Sequence, residues 1–158
     1  MKPSTNLKNN FYFKRILKFC SLTLRSRYEV ESQLEKFSEI EENLKAEIIE
    51  YFIKIKVVLE DVEFIDYYLQ NLSSTKGYNF NQLYLKLSKK VGDKNLLKQK
   101  LNSYFKENGE SQIQLFIERN KRKLERMESD MKRIRYLSQK GFNLDLVKKY
   151  VKTITYNK

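Results

Sequence analysis

The side chains of this 158-residue chain that could do chemistry are mostly cations. Arg119, Arg122, Lys123, Arg126, Lys132, Arg133, Arg135, Lys140, Lys148, Lys149 and Lys152 crowd into its last third. Guanidinium and ammonium groups at this density bind anions, either the phosphates of a nucleic acid or the carboxylates of an acidic protein. Arg122 and Arg126 stand four apart, as do Lys148 and Lys152, a spacing that puts each pair on one helix face. Glu118, Glu125 and Glu128 offer local partners, so any single charge is adequately explained as solvation of a helix. The cluster as a whole is not. From residue 1 to 75 there are 11 Lys and Arg against 12 Asp and Glu, and from 76 to 158 there are 21 against 8. That excess costs self-repulsion which an anionic partner relieves.

Other chemistries are excluded by what is missing. The sequence has no histidine, which removes imidazole bases, triads and His-containing zinc sites. Gly77, Gly92, Gly109 and Gly141 stand too far apart to form a phosphate-cradling loop. Glu60 and Asp61 are adjacent acids, but Asp61 as a helix cap explains them without a metal. Cys20, the only cysteine, falls on an apolar stripe and reads as a small buried hydrophobe. No catalytic residue, metal or cofactor is expected. No apolar run approaches a membrane span and no leader-like segment opens the chain, so the expected setting is the cytoplasm.

The elements that must position these cations are helices. One proline and four glycines leave little material for β-turns. Apolar stripes at helical spacing mark nine segments. The first covers about Asn10 to Leu24; the second follows a capping box of Ser26 and Glu29 and turns Val30, Leu34 and Phe37 inward. The third carries Leu44, Ile48, Ile49, Phe52, Ile53 and Ile55, and the fourth, capped by Asp61, carries Ile65, Tyr68, Leu69 and Leu72. Ser73 to Gly77 forms a loop. Asn79 with Gln82 makes a second capping pair before a fifth helix with Phe80, Leu83, Leu87 and Val91. A sixth begins after Asp93 and presents Leu97, Leu101, Tyr104 and Phe105. Gly109 is expected to break the pattern, so that a seventh helix runs from about Ser111 to Met127. Ser129 caps the eighth, in which Ile134 and Leu137 face the core, and Gly141 closes it. Asn143 starts the ninth, with Leu144, Val147, Val151 and Ile154.

Two stretches are copies of one pattern. LSKKVGDKNLLKQKL from Leu87 aligns without gaps to LSQKGFNLDLVKKYV from Leu137, pairing Ser88 with Ser138, Lys90 with Lys140 and Leu96 with Leu146. A helical repeat of this length is the mark of a solenoid-like stack. The expected fold is therefore all-α, three tandem three-helix repeats in an elongated, curved stack, over residues 10–57, 58–107 and 110–156.

Three stretches resemble the RecX family of regulatory proteins, which bind the bacterial RecA recombinase. FCSLTLRSRYEVESQL from Phe19 to Leu34 is similar to the family's opening signature. VVLEDVEFIDYYL from Val57 to Leu69 resembles its acidic pair followed by an aromatic-rich helix. KRIRYLSQKGFNLDLVKKYV from Lys132 to Val151 looks like its terminal basic helix, Gly-Phe turn and final helix. The chain departs from the pattern at Leu24, where proline is common, at Glu60, where Asp is usual, and at Lys90, Val91 and Gly92, where Lys-Gly-Ile is usual. The resemblance implies a monomer lying in the groove of a RecA filament on DNA, opposing ATP hydrolysis, filament growth and strand exchange without chemistry of its own. A helical nucleic-acid-binding module with no recombinase partner is the alternative. Tyr84 and Tyr136 could stack on bases if exposed, though both lie near core stripes. Direct DNA binding is expected to be weak and steeply salt dependent: neutralising about five phosphates gives a log-log slope of roughly −4 to −5 on duplex. A titration of affinity against salt checks this, and a flat response rejects it.

Overall fold

The computed structural model describes residues 5–71 and 77–154. Leu72, all but Gly77 of the expected Ser73–Gly77 loop and the last residues of the third expected repeat lie outside them. The described residues form ten helices, α1 Thr5–Asn9, α2 Phe11–Cys20, α3 Arg27–Leu34, α4 Glu42–Lys54, α5 Asp61–Asn71, α6 Phe80–Leu87, α7 Lys94–Arg119, α8 Lys121–Glu125, α9 Asp130–Gln139 and α10 Leu144–Val151. The expected all-α class holds except for one small parallel pair. In it β1 Arg25–Ser26 sets Arg25 against Val58 and Ser26 against Leu59 of β2 Val58–Leu59. No described helix is long and apolar enough to cross a membrane.

The chain divides into two compact units, one made of Met1–Ile65 with Lys89–Lys94, the other of Asp66–Ser88 with Asn95–Lys158. The first unit has its core between α2, α3 and α4, where Phe13, Ile16, Cys20, Val30, Leu34, Ile48 and Phe52 are buried. Each lies on the stripe that its spacing predicts. Burial pushes the Cys20 thiol up to about 11, so it stays protonated and inert. The first helix ends at Cys20, short of the expected Leu24, because the chain must straighten to pair Arg25 and Ser26 with β2.

Local polar chemistry sets the helix ends. Ser26 and Glu29 form the expected capping box on α3, and Asn79 and Gln82 do the same on α6. Asn10, Ser129 and Asn143 accept backbone N–H groups at the starts of α2, α9 and α10. Asp61 differs from expectation. It is the first residue of α5, and its carboxylate accepts instead from Tyr28 N–H at 3.2 Å and Gly92 N–H at 2.6 Å. The carboxylate thus ties α5 to two distant backbone segments of the first unit.

In the second unit, α9 ends in a Schellman motif. Gly141 has φ +89°, its N–H reaches Ser138 C=O, and Phe142 N–H reaches Leu137 C=O. Phe142 is buried and packs edge-on against Phe116 at 5.1 Å. The Gly-Phe turn of the sequence is this cap with its apolar anchor. The earlier copy places no glycine there; Gly92 meets Tyr28, from which an added Cβ would stand 3.1 Å away.

The expected break at Gly109 does not occur. Helix α7 runs unbroken for 26 residues, and Gly109 lies buried inside it where a Cβ would come within 3.3 Å of Leu146. This glycine serves close packing of α7 on α10. The break falls instead at Asn120, which has φ −107° and ψ 14°, so the helix expected over Ser111 to Met127 becomes the end of α7 followed by the short α8. Two glycines carry positive φ, and they predict different costs. Changing Gly141 to Ala costs about 1–2 kcal/mol from backbone strain alone, because its nearest neighbour is the flexible Asn81 side chain. Changing Gly77 to Ala costs clearly more, since its Cβ would lie 2.5 Å from the backbone nitrogen of Phe116. Urea denaturation of the two variants gives the order.

Candidate anion-binding surface

The expected site residues are distributed over four elements of the second unit. Arg119 ends α7, Arg122 and Lys123 lie on α8 with Arg126 at its C-cap, Lys132, Arg133 and Arg135 lie on α9 with Lys140 at its C-cap, and Lys148 and Lys149 lie on α10 with Lys152 at its C-cap. Three of these caps place a cation where a helix's terminal carbonyls gather, a favourable position for positive charge.

Burial separates them. Arg122, Lys123, Arg126, Lys132, Arg135, Lys148, Lys149 and Lys152 are exposed, and Lys140 is half-buried. Arg133 is fully buried and leaves the expected site. Its Nε donates to Leu124 C=O at 2.9 Å, Nη1 to Ile154 C=O and Asp130, and Nη2 to Met127 and Glu125 C=O. One guanidinium therefore closes the end of α8 and binds the chain after α10. A planar five-donor fork can serve carbonyls in several directions at once, and a lysine cannot. The signal was present in the sequence: Arg133 precedes Leu137 by four residues and so shares its inward face.

Among the exposed cations, some are engaged. Lys149 donates to Glu110, which also accepts the Tyr150 hydroxyl at 2.6 Å, and Gln114 donates to that hydroxyl at 2.8 Å. The Lys149 ammonium, followed by the Tyr150 hydroxyl, holds the Glu110 carboxyl below the ordinary glutamate range. Lys132 donates to Glu128 and lowers that carboxyl in the same way. Arg122, Arg126, Arg135, Lys148 and Lys152 have no carboxylate partner among the described residues. These five are the cations best able to engage an external anion.

Two of the three family-like stretches, the opening signature and the acidic pair, are elsewhere and structural, whereas the third, Lys132 to Val151, overlaps the candidate surface. Arg25 Nη1 and Lys90 Nζ both donate to Glu29, at 3.1 and 3.0 Å, while the Ser26 hydroxyl donates to Lys90 C=O. Arg27 bridges Glu31, Glu50 and Glu60. The opening signature and the acidic pair, distant in sequence, thus meet in the first unit. Sequence spacing could not reveal this.

The fold has a known counterpart. A crystal structure of RecX from Lactobacillus salivarius superposes with a TM-score of 0.62 over 96% of this chain and 98% of that one, at 22% identity. The chain has the RecX fold. No protein-family model matches it, and no curated protein matches it.

Replacing Arg133 with Met strands several buried carbonyls, at a cost of about 3 kcal/mol. Arg133→Lys should not restore the loss, whereas Arg135→Met should change stability by less than about 0.5 kcal/mol. Chemical denaturation followed by circular dichroism measures all three.

Proposed function

We propose that this protein regulates the RecA recombinase, binding its filament on DNA and opposing ATP hydrolysis, filament growth and strand exchange. The whole-chain match to a RecX structure carries this reading, because it extends over nearly all of both chains. Fold alone does not fix function. The reading also rests on the three resembling sequence stretches, and on a second unit rich in exposed cations suited to the phosphates or acidic surface of a nucleoprotein filament. The protein acts by binding alone, as a cytoplasmic monomer and without a cofactor.

The repeats are part of this proposal. Three three-helix units over 10–57, 58–107 and 110–156 would present successive contact surfaces, with the second and third joined through the continuous α7. Contact with RecA would lie mainly on the third. Arg122, Arg126, Arg135, Lys148 and Lys152 supply it, Arg119, Lys123, Lys132, Lys140 and Lys149 lie nearby in sequence, and Arg133 holds the elements that display them. Direct DNA contact is secondary. Helix α10 offers lysines for phosphates but has no Asn, Gln or Arg to read base edges, which argues against a sequence-specific DNA reader.

The test is ATP hydrolysis by RecA filaments assembled on single-stranded DNA. Loss of hydrolysis at protein levels well below RecA is the expected result. Loss only at levels that coat the DNA would support the plain nucleic-acid binder instead. The double variant Arg122→Glu, Arg126→Glu reverses two exposed charges and should need at least about tenfold more protein for the same effect. Full retention of activity would reject this surface.

A further inference from the structure

A cavity of about 470 Å³ in the second unit differs in its chemistry from the others described. Its walls include Tyr78, Phe116, Arg119, Asn120, Tyr136 and Lys140, with no Asp or Glu among its lining residues. A cavity of about 560 Å³ carries Asp66 and Glu107, and one of about 240 Å³ carries Glu31, Glu35 and Glu42. The carboxylate-free cavity falls in the size range of small-ligand sites, roughly 300–1,000 Å³. Cations gather on its aromatic rings. Lys123 Nζ lies 4.3 Å from the Tyr136 ring centre and 3.2 Å from its hydroxyl oxygen, and Lys140 Nζ lies 5.4 Å from the same ring. Lys86 Nζ lies 5.4 Å from the Tyr78 ring. Two ammonium groups on one ring repel each other, and cation–π attraction at an open site is weak. An anion entering beside the ring relieves that repulsion, and the long lysine stems let the ammonium groups turn to it.

We propose that this cavity is a seat for one nucleotide of a single strand, the base taking the Tyr136 ring and the flanking phosphates taking Lys123, Lys140 and Arg119. An aromatic face bordered by cations is the recurring means of holding single strands without sequence preference. A duplex offers phosphates but keeps its base faces stacked inside, so it cannot use Tyr136 in this way. The seat goes beyond the recombinase reading and does not depend on it: it requires neither RecA nor Arg122, Arg126, Arg135, Lys148 and Lys152.

The test uses the full chain and no RecA. A fluorescent oligothymidylate should bind more tightly than a duplex of the same length. Tyr136→Phe should keep that preference. Tyr136→Leu, which retains an apolar side chain against Phe116, should weaken single-strand binding about tenfold and leave duplex binding unchanged. Lys140→Glu should weaken single-strand binding by a similar factor, with thermal melting recorded to confirm that each variant is folded. In the unaltered protein, an oligonucleotide carrying 5-iododeoxyuridine should photocrosslink to Tyr136, located by mass spectrometry. Equal affinity for single strand and duplex with Tyr136→Leu unchanged, or crosslinks only at other residues, would overturn the proposal. Either result leaves the RecA experiment untouched.

Discussion

The structure depends on satisfying the ends of short helices. Helices α3, α6 and α10 have eight residues each, and α1 and α8 have five. Every helix leaves its first four N–H and last four C=O groups without intrahelical partners, so in elements this short nearly the whole backbone is an end. Burying apolar stripes does not solve that problem, because an unpaired buried amide costs free energy comparable to a lost hydrogen bond. Side chains solve it at two ranges. Ser26, Asn79, Ser129 and Asn143 act within a turn, while Asp61, Gln112 and Arg133 act across the fold, on the backbones of Tyr28 and Gly92, of Tyr78, and of Leu124 and Ile154. The second group couples elements that the first only terminates.

This constraint divides the polar residues by role. Arg25, Ser26, Glu29, Glu60 and Asp61, which carry much of the resemblance to RecX, are all committed to contacts within the first unit. A likeness in such residues is a likeness of scaffold. The partner surface must then be sought among residues that the scaffold does not use, including the exposed cations Arg135 and Lys148 within the third resembling stretch.

How much could be read in advance follows from range. Capping boxes and the Gly141 cap were legible because spacing within one turn fixes their geometry. The apolar stripes of α2, α3, α4 and α10 were legible for the same reason, except that Leu17 and Leu144, which the spacing adds to the first and last of them, are exposed. Gly109 was not, since a glycine that ends a helix and one that admits a neighbour look alike until Leu146 is in place. Asn120 was missed because the stripe of Ile113, Phe116, Ile117, Leu124 and Met127 continues across it. The role of Arg133 depends on carbonyls nine residues before it and twenty-one after it. The β1 and β2 pair joins segments more than thirty residues apart, and only tertiary structure supplies its register.

The same logic refines the candidate surface. A high density of positive charge says that an anion is wanted, but local acids decide which cations can supply it. Glu110 occupies Lys149 and Glu128 occupies Lys132, so a partner must displace a carboxylate to use either lysine. Both pairs are largely solvent-exposed, where ion pairs are weak and salt-screened, so the displacement is affordable. Arg122, Arg126, Arg135, Lys148 and Lys152 require no such exchange. On the proposed reading an anionic partner would engage these five without displacing a carboxylate, and would reach the lysines held by Glu110 and Glu128 only by outcompeting a glutamate.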